Sequence, residues 1–292
     1  MKRLRAIIEH LRFRYAPRIT DYVVKLSTNK AAAKLRASGP LSLLVDNTVL
    51  DHAVTHETAW ISTGKKNWGA TEIETGYSAR IAVHPADSQS REYRNVRFLP
   101  GLVSLARQGL LTLHTSAELD AERFRQPVGR FRGYGYFDLS LLSGVEIKSV
   151  DGIEFPTLGP EWMEMPTSRE QQHQRLKRAE DEDTAYASLV EVLGRKNSQD
   201  AWHIRTAEKF GMFCFLTMDF DLFKPLNAQR NAKRIKTLAT KVMTPEQLGR
   251  YLGIIPVPPH LLSYHRASFP VRSDLAWQDG RRKGAGRRKS RG

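Results

Sequence analysis

The chain has 292 residues, 40% hydrophobic and 26% charged, which supplies one large core or two modest ones. Its formal net charge of +15 makes a polyanionic partner the expectation, because each phosphate that Lys or Arg neutralises releases condensed counterions. No apolar run approaches the roughly 20 residues of a membrane helix. Glu9, His10 and several arginines interrupt the opening MKRLRAIIEHLRFRYA, so neither a membrane anchor nor a secretory signal is expected, and the compartment is read as cytoplasmic.

Residues 1–40 read as a basic helical arm. Ile7, Ile8 and Leu11 begin an apolar stripe, Pro17 breaks it, a second helix crosses YVVKL and KAAAKL, and Ser38-Gly39-Pro40 closes the arm. LSLLV follows, a continuous apolar run of the kind found in a strand buried on both faces, and it leads directly into Asp46. Residues 56–92 alternate in part with period two between glycines and predict an added antiparallel hairpin. LPGLVSLARQ reads as a helix, and GLLTLH as a second apolar strand leading into TSAELDAE. Residues 123–175 contain VGRFRGYGYFDL, an Asp151-Gly152 turn and the proline-bearing EFPTLGPEWMEMP, and predict a second β-rich insertion. The acidic run Glu180 to Asp183 is placed in the first turn of a helix through YASLVEVLG, where negative charge offsets the helix dipole.

DAWHIRTAEKFG predicts a helix and MFCFLT a third strand, in which the sole cysteine, Cys214, is a small core residue. A fourth short strand around KTLATKVM precedes TPEQLGRYLG, whose Thr244, Pro245 and Gln247 supply N-cap, N1-proline and capping-box signals. Residues 254–292 form a C-terminal extension. Seven of its last twelve residues, RRKGAGRRKSRG, are Lys or Arg, and the Gly-rich stretch 280–292 reads as a disordered cationic tail.

Apolar strands alternating with helices predict an α/β fold, a doubly wound and mainly parallel sheet with helices on both faces. In such sheets ligands bind beyond the carboxyl ends of the strands. Asp46, Glu118 and Asp219 each follow a strand by a few residues at most, and Asp200 opens the helix that feeds the third strand. Taken singly, each has an ordinary reading. Thr115 to Glu118 and Asn197 to Asp200 match capping-box spacing, Asp46 can cap a helix beginning near Thr48, and Asp219 can share a turn with Asp221. Together they are hard oxygen donors at one sheet edge, whose mutual repulsion a cation relieves, and such donors suit Mg²⁺ or Mn²⁺. A metal so held activates water, orients a scissile phosphate and neutralises the charge of an in-line displacement. Cleavage of nucleic acid is the expected activity.

These segments also carry a family pattern. LSLLVDNTVLDHAV resembles the opening strand of PIN-domain nucleases, and QDAWHIRTAEKFGMFCFLTMDFDLFKPL looks like that family's second half. TLHTSAELDAE is similar to its middle position and KVMTPEQLGRYL to its closing strand and helix. The resemblance spans residues 41–253 and implies a PIN-like three-layer α/β/α domain with a central, mainly parallel sheet, carrying insertions at 56–92 and 123–175. It implies Asp46, Glu118, Asp200 and Asp219 as the catalytic acids and the ligands of Mg²⁺ or Mn²⁺, with the nearby Asp120 and Glu122 as alternatives for the second acid, and with Thr217, Asp221 and Asn47 in support. It further implies a water attacking the phosphodiester, leaving a 5′-phosphate and a 3′-hydroxyl. The order Asp46-Asn47-Thr48 departs from the family's usual Asp-Thr-Asn or Asp-Thr-Ser, displacing the hydroxyl neighbour by one.

Other residues have two readings. His52 and His56 show the spacing of a helical zinc pair, without a third ligand nearby, and an ordinary helix after Asp46 explains them equally. Arg130 and Arg132, interleaved with aromatics in GRFRGYGYF, fit either nucleic-acid contact or a packed strand. Arg281, Arg282, Lys283, Arg287, Arg288 and Lys289 of the tail are expected to bind backbone phosphates. His203, three residues after Asp200, fits a place facing the crevice, although a helix-surface position is the commoner case for such a histidine. RNA is the expected substrate ahead of DNA. The alternatives are a catalytically inactive PIN-like RNA- or DNA-binding module and the toxin of a toxin-antitoxin pair, which requires a protein inhibitor (antitoxin) as partner. The oligomeric state is left open, a homodimer included.

Overall fold

The computed structural model describes residues 2–125, 138–153, 155, 166–268 and 271–276. A long helix α1 (Lys2–Ser38) precedes β1 (Leu41–Val45), the short helix α2 (Asn47–His52), and the long strands β2 (Val54–Trp68) and β3 (Thr71–Ala82). Helices α3 (Arg91–Val96) and α4 (Leu99–Arg107) lead to β4 (Leu111–Thr115), α5 (Ala117–Arg125), β5 (Leu139–Ser140) and β6 (Ile147–Ser149). Then come α6 (Ser168–Glu182), α7 (Thr184–Leu193), α8 (Ser198–Lys209), β7 (Cys214–Leu216), α9 (Phe223–Ala228) and α10 (Lys233–Lys236). The last elements among the described residues are β8 (Lys241–Met243), α11 (Pro245–Leu252) and β9 (Val271–Ala276).

LSLLV is uninterruptedly apolar because both faces of β1 are covered. Leu43 and Val45 enter one core with Ala31, Ala32 and Leu35 of α1, Leu102 and Leu105 of α4, and Leu248 and Leu252 of α11. Leu44 enters the other with Leu119 of α5, Tyr186 and Leu189 of α7, and Ile204 of α8. β7 divides in the same way, with Cys214 and Leu216 on the first face and Phe215 on the second. The period of two along each strand thus builds an α/β/α arrangement of three layers.

The central sheet runs β6-β4-β1-β7-β8, every neighbouring pair parallel. The chain builds outward from β1 through β4 to β6, then crosses back to lay β7 on the other side of β1. The order therefore reverses between β1 and β7, and the crevice beyond their carboxyl ends is the topological switch point. Asp46 lies there: its amide donates to the Leu216 carbonyl at 2.9 Å.

A second sheet, β5-β2-β3-β9, is built on the hairpin, which pairs from His56 with Ala82 to Trp68 with Thr71. The expected antiparallel hairpin at 56–92 thus occupies Val54–Ala82, and the residues after it form α3. The stretch 123–175 divides. α5 continues to Arg125, β6 joins the central sheet as an edge strand that sequence reading missed, and α6 begins at Ser168. At three residues, β6 is too short for a period to register.

Two further expectations change. α1 runs unbroken through Pro17, held on either side by Phe13 against the Tyr264 ring and by Thr20 Oγ1 donating to the Leu261 carbonyl at 2.9 Å. Tertiary contacts there outweigh the one backbone bond a proline removes. The acidic run does not open a helix as a block: Glu180, Asp181 and Glu182 end α6, and Asp183 alone caps α7, accepting from the Ala185 and Tyr186 amides. The Thr244–Gln247 capping box on α11 forms as expected.

Candidate functional site

Asp46 occupies the N-cap position of α2 yet accepts no capping hydrogen bond. Its buried carboxylate is held sideways instead. Oδ2 accepts from Thr217 Oγ1 at 2.6 Å and from Thr48 Oγ1 at 2.5 Å, and Thr48 Oγ1 in turn accepts the Met218 amide at 2.9 Å. Burial raises the Asp46 pKa, with the two hydroxyls and His203 opposing it. Thr48 is the hydroxyl displaced by one in the Asp46-Asn47-Thr48 order, and it still reaches the carboxylate.

β7 delivers Thr217 and Asp219 to the same edge. Thr217 Oγ1 accepts the Asp219 amide at 2.9 Å, and Asp219 Oδ1 accepts the Asp221 amide at 2.9 Å, so the turn reading of Asp219 is realised. Asp221 itself points outward and pairs with Lys224 at 2.8 Å. Asn47 is buried and ties α2 to α5, its Nδ2 donating to the Leu119 carbonyl at 2.7 Å.

Asp200 stands in the first turn of α8, where Asn197 makes no side-chain cap. Among the described residues no hydrogen bond or ion pair reaches its carboxylate. Burial pushes its pKa up to about 6; His203 opposes the shift, and Asp219, Asp46 and Glu122 add to it. These four acids therefore repel one another across one crevice.

Glu118 does not belong to that group. Arg175 of α6 takes both its carboxylate oxygens, Nε at 2.6 Å and Nη2 at 3.0 Å, and Gln172 Nε2 adds a third bond at 3.1 Å. The Thr115–Glu118 capping box does not form either; Thr115 Oγ1 bonds Asp120. The acid of α5 that meets the others is Glu122, one turn further along the same helix face. Its Oε1 lies 2.9 Å from His203 Nε2 and accepts from Gln172 Nε2 at 3.2 Å. Burial opposes the Glu122 carboxylate, but His203 outweighs it and holds the pKa below the ordinary value. Burial likewise opposes charge on His203, yet Glu122, Asp46 and Asp200 raise its pKa to about 9.

His203 is thus a buried cation among acids rather than a helix-surface residue, at 2% exposed. Its Nδ1 is buried without a hydrogen-bond partner among the described residues. Spacing held the signal for both residues: Glu122, an alternative to Glu118 in the sequence, follows it by four, and His203 follows Asp200 by three. The zinc reading fails on geometry, since His56 lies in β2 rather than on the helix of His52. It bonds Thr55 and Ser263, and burial first, then Arg80, lowers its pKa to about 3. Cys214 is buried in β7, its thiol pushed up to about 12 by desolvation. Arg130, Arg132 and the tail residues Arg281, Arg282, Lys283, Arg287, Arg288 and Lys289 lie outside the described residues.

Among the described residues no group of three or more His, Cys, Asp or Glu side chains is arranged to hold a metal ion. Carboxylate oxygens are hard donors; among the described residues Asp46 Oδ1 and the Asp200 carboxylate accept no hydrogen bond, Glu122 adds to the raised pKa of Asp46, and Asp219, Asp46 and Glu122 add to that of Asp200. No helix among the described residues is long and apolar enough to cross a membrane. Compared with protein-family models, with curated proteins and with solved structures, the chain matches none.

Proposed function

We propose that the chain is a divalent-metal-dependent endoribonuclease that hydrolyses RNA phosphodiesters at the β1/β7 switch point. Asp46, Glu122, Asp200 and Asp219 are its metal ligands, with Glu122 replacing Glu118. The observation that carries this reading is Asp200, a carboxylate at the mouth of a parallel sheet with no hydrogen-bond or ion-pair partner among the described residues and a pKa pushed up to about 6 by burial and by three other acids. Perturbed groups of this kind concentrate at functional sites. The placement of the acids along the sheet also supports the PIN-like resemblance, and the net charge of +15 supports a polyanionic substrate.

Mg²⁺ or Mn²⁺, when bound, supplies activation of water and neutralises the charge of the in-line displacement. The chain's own residues prepare the place. Thr48 and Thr217 both bind Asp46 Oδ2, fixing the carboxylate, and among the described residues Oδ1 is left uncommitted. His203 orients Glu122 and screens the acids from one another.

The inactive-module reading draws on one observation too: the His203–Glu122 pair already supplies a positive charge inside the cluster. Labelled single-stranded RNA and DNA, incubated with the purified chain in Mg²⁺, in Mn²⁺ and in chelator, separate the two. The expected result is metal-dependent cutting of RNA that leaves 5′-phosphates. Tight binding with no metal-dependent cutting would establish the inactive module, and cutting of DNA alone would reassign the substrate.

A further inference from the structure

The acidic crevice by itself repels the phosphates of an RNA, so the strand needs cations at the rim. One stands close beside the proposed ligands. Phe220, between Asp219 and Asp221, is half-buried against the core that α1 and α4 share. The guanidinium carbon of Arg91, the first residue of α3, lies 4.0 Å from the centre of the Phe220 ring. So close an approach seats the flat cation against the ring face. Arg91 is exposed, and among the described residues no hydrogen bond or ion pair occupies its guanidinium. Asp221 is taken instead by Lys224, at 2.8 Å; Lys224 first, and Arg91 after it, hold the Asp221 carboxyl below its ordinary value. Both charges therefore stand at the loop that carries Asp219.

A second pair of this kind marks the other helix layer. Arg175 of α6 lies 3.7 Å from the centre of the Phe155 ring, but its donors are spent on Glu118. Of these two guanidiniums, Arg91 is the one left for a ligand. A guanidinium backed by a ring offers its outer face to a base, and the N–H groups in its plane to a phosphate. A base can use that face only when it is unpaired and turned out of the stack, which a duplex does not allow. Lysine would supply the charge without the plane. Because Phe220 adjoins Asp219, the molecule that covers Arg91 is continuous with the one that enters the crevice.

We propose that the site takes single-stranded RNA, with a base next to the scissile phosphate stacked on Arg91 and the guanidinium held flat by Phe220. The inference rests on the RNA-substrate part of the nuclease reading and narrows it.

The probes are a short single-stranded RNA, the same sequence as a duplex, and a set in which each nucleotide in turn is abasic. In Mg²⁺ or Mn²⁺ the full chain should favour the single strand over the duplex by about tenfold or more in kcat/KM. A base lost from a protein stack costs roughly 5- to 150-fold. One abasic position should therefore raise KM about fivefold or more for the wild type and less than about twofold for Arg91→Ala, whose platform is gone. For the intact strand Arg91→Ala should raise KM about tenfold or more, the loss falling on KM rather than kcat because stacking holds substrate and transition state alike. Arg91→Lys should stay about fivefold or more above wild type. Arg91 is exposed, so an unchanged circular dichroism spectrum and Tm verify the fold. Wild-type KM in either variant, an abasic cost that does not depend on Arg91, or equal cleavage of the duplex overturns the proposal. If the chain cuts nothing, the nuclease reading falls, and the same ratios are read as dissociation constants by anisotropy in the same metal buffers. An Arg91-dependent preference for the single strand then sustains the stacking of RNA on Arg91, and its absence overturns it.

Discussion

The Thr217 hydroxyl joins two of the acids across the switch point, donating to Asp46 Oδ2 at 2.6 Å and accepting the Asp219 amide at 2.9 Å. Valine has the same shape and neither bond. Thr217→Val should cost about 1 kcal/mol of stability, the net worth of a buried hydrogen bond. It should also slow metal-dependent cleavage by about 10- to 100-fold, the usual effect of losing a group that orients a ligand. Thr217→Ser keeps the hydroxyl and should retain both properties. Melting curves and cleavage rates on the three proteins check this.

Glu118 and Glu122 should separate by property. Glu118→Gln breaks a bidentate charge-assisted pair with Arg175 and should lower stability by about 1–3 kcal/mol while leaving cleavage close to wild type. Glu122→Gln should abolish metal-dependent cleavage, and because it leaves the buried His203 without its carboxylate it should lower stability as well. Denaturant titration beside a rate measurement reads both, and the reverse pattern restores Glu118 as the ligand.

Asp200 gives the metal-free fold a pH dependence. Its folded-state pKa of about 6 lies above the ordinary 3.8, so the folded chain binds this proton more tightly than the unfolded one. Ionised Asp200 therefore weakens the fold, and the weakening develops as pH rises from about 4 through 6. In chelator, Asp200→Asn should melt higher than wild type at pH 7.5 and no higher at pH 4. Saturating Mg²⁺ should reverse the order at pH 7.5, because wild type alone gains the full stabilisation of a bound ligand. Calorimetry at the two pH values, with and without metal, is the check.

Removing residues 280–292 deletes seven basic side chains. RNA affinity should fall, and the slope of log affinity against log salt should shrink by up to about 5, at roughly 0.7 per lost phosphate contact on a single strand. Cleavage of a short oligonucleotide should be unaffected. An unchanged salt slope removes the tail from the RNA interface.

The central sheet was legible wherever burial on both faces made a strand continuously apolar, as in LSLLV and MFCFL, and the one strand missed, Ile147–Ser149, is a short edge without such a run. Asp46, Asp200 and Asp219 could be placed because each lies next to such a strand or its feeding helix. Glu118 and Glu122 could not be ranked, because they share a helix face and only the position of Arg175 on α6 decides which is diverted. The spacing of His203 from Asp200 fitted both a crevice-facing and a helix-surface place, and only the packing that buries it decides between them. Pro17 made one helix, α1, look like two.

The shared cation is the premise on which the chemistry rests, and a Mn²⁺-soaked crystal tests it most directly through anomalous scattering. The expected map has a peak contacted by Asp46, Glu122, Asp200 and Asp219, absent after Asp46→Asn. A map with no peak in that crevice, or one whose only peak lies against Glu118, would contradict it.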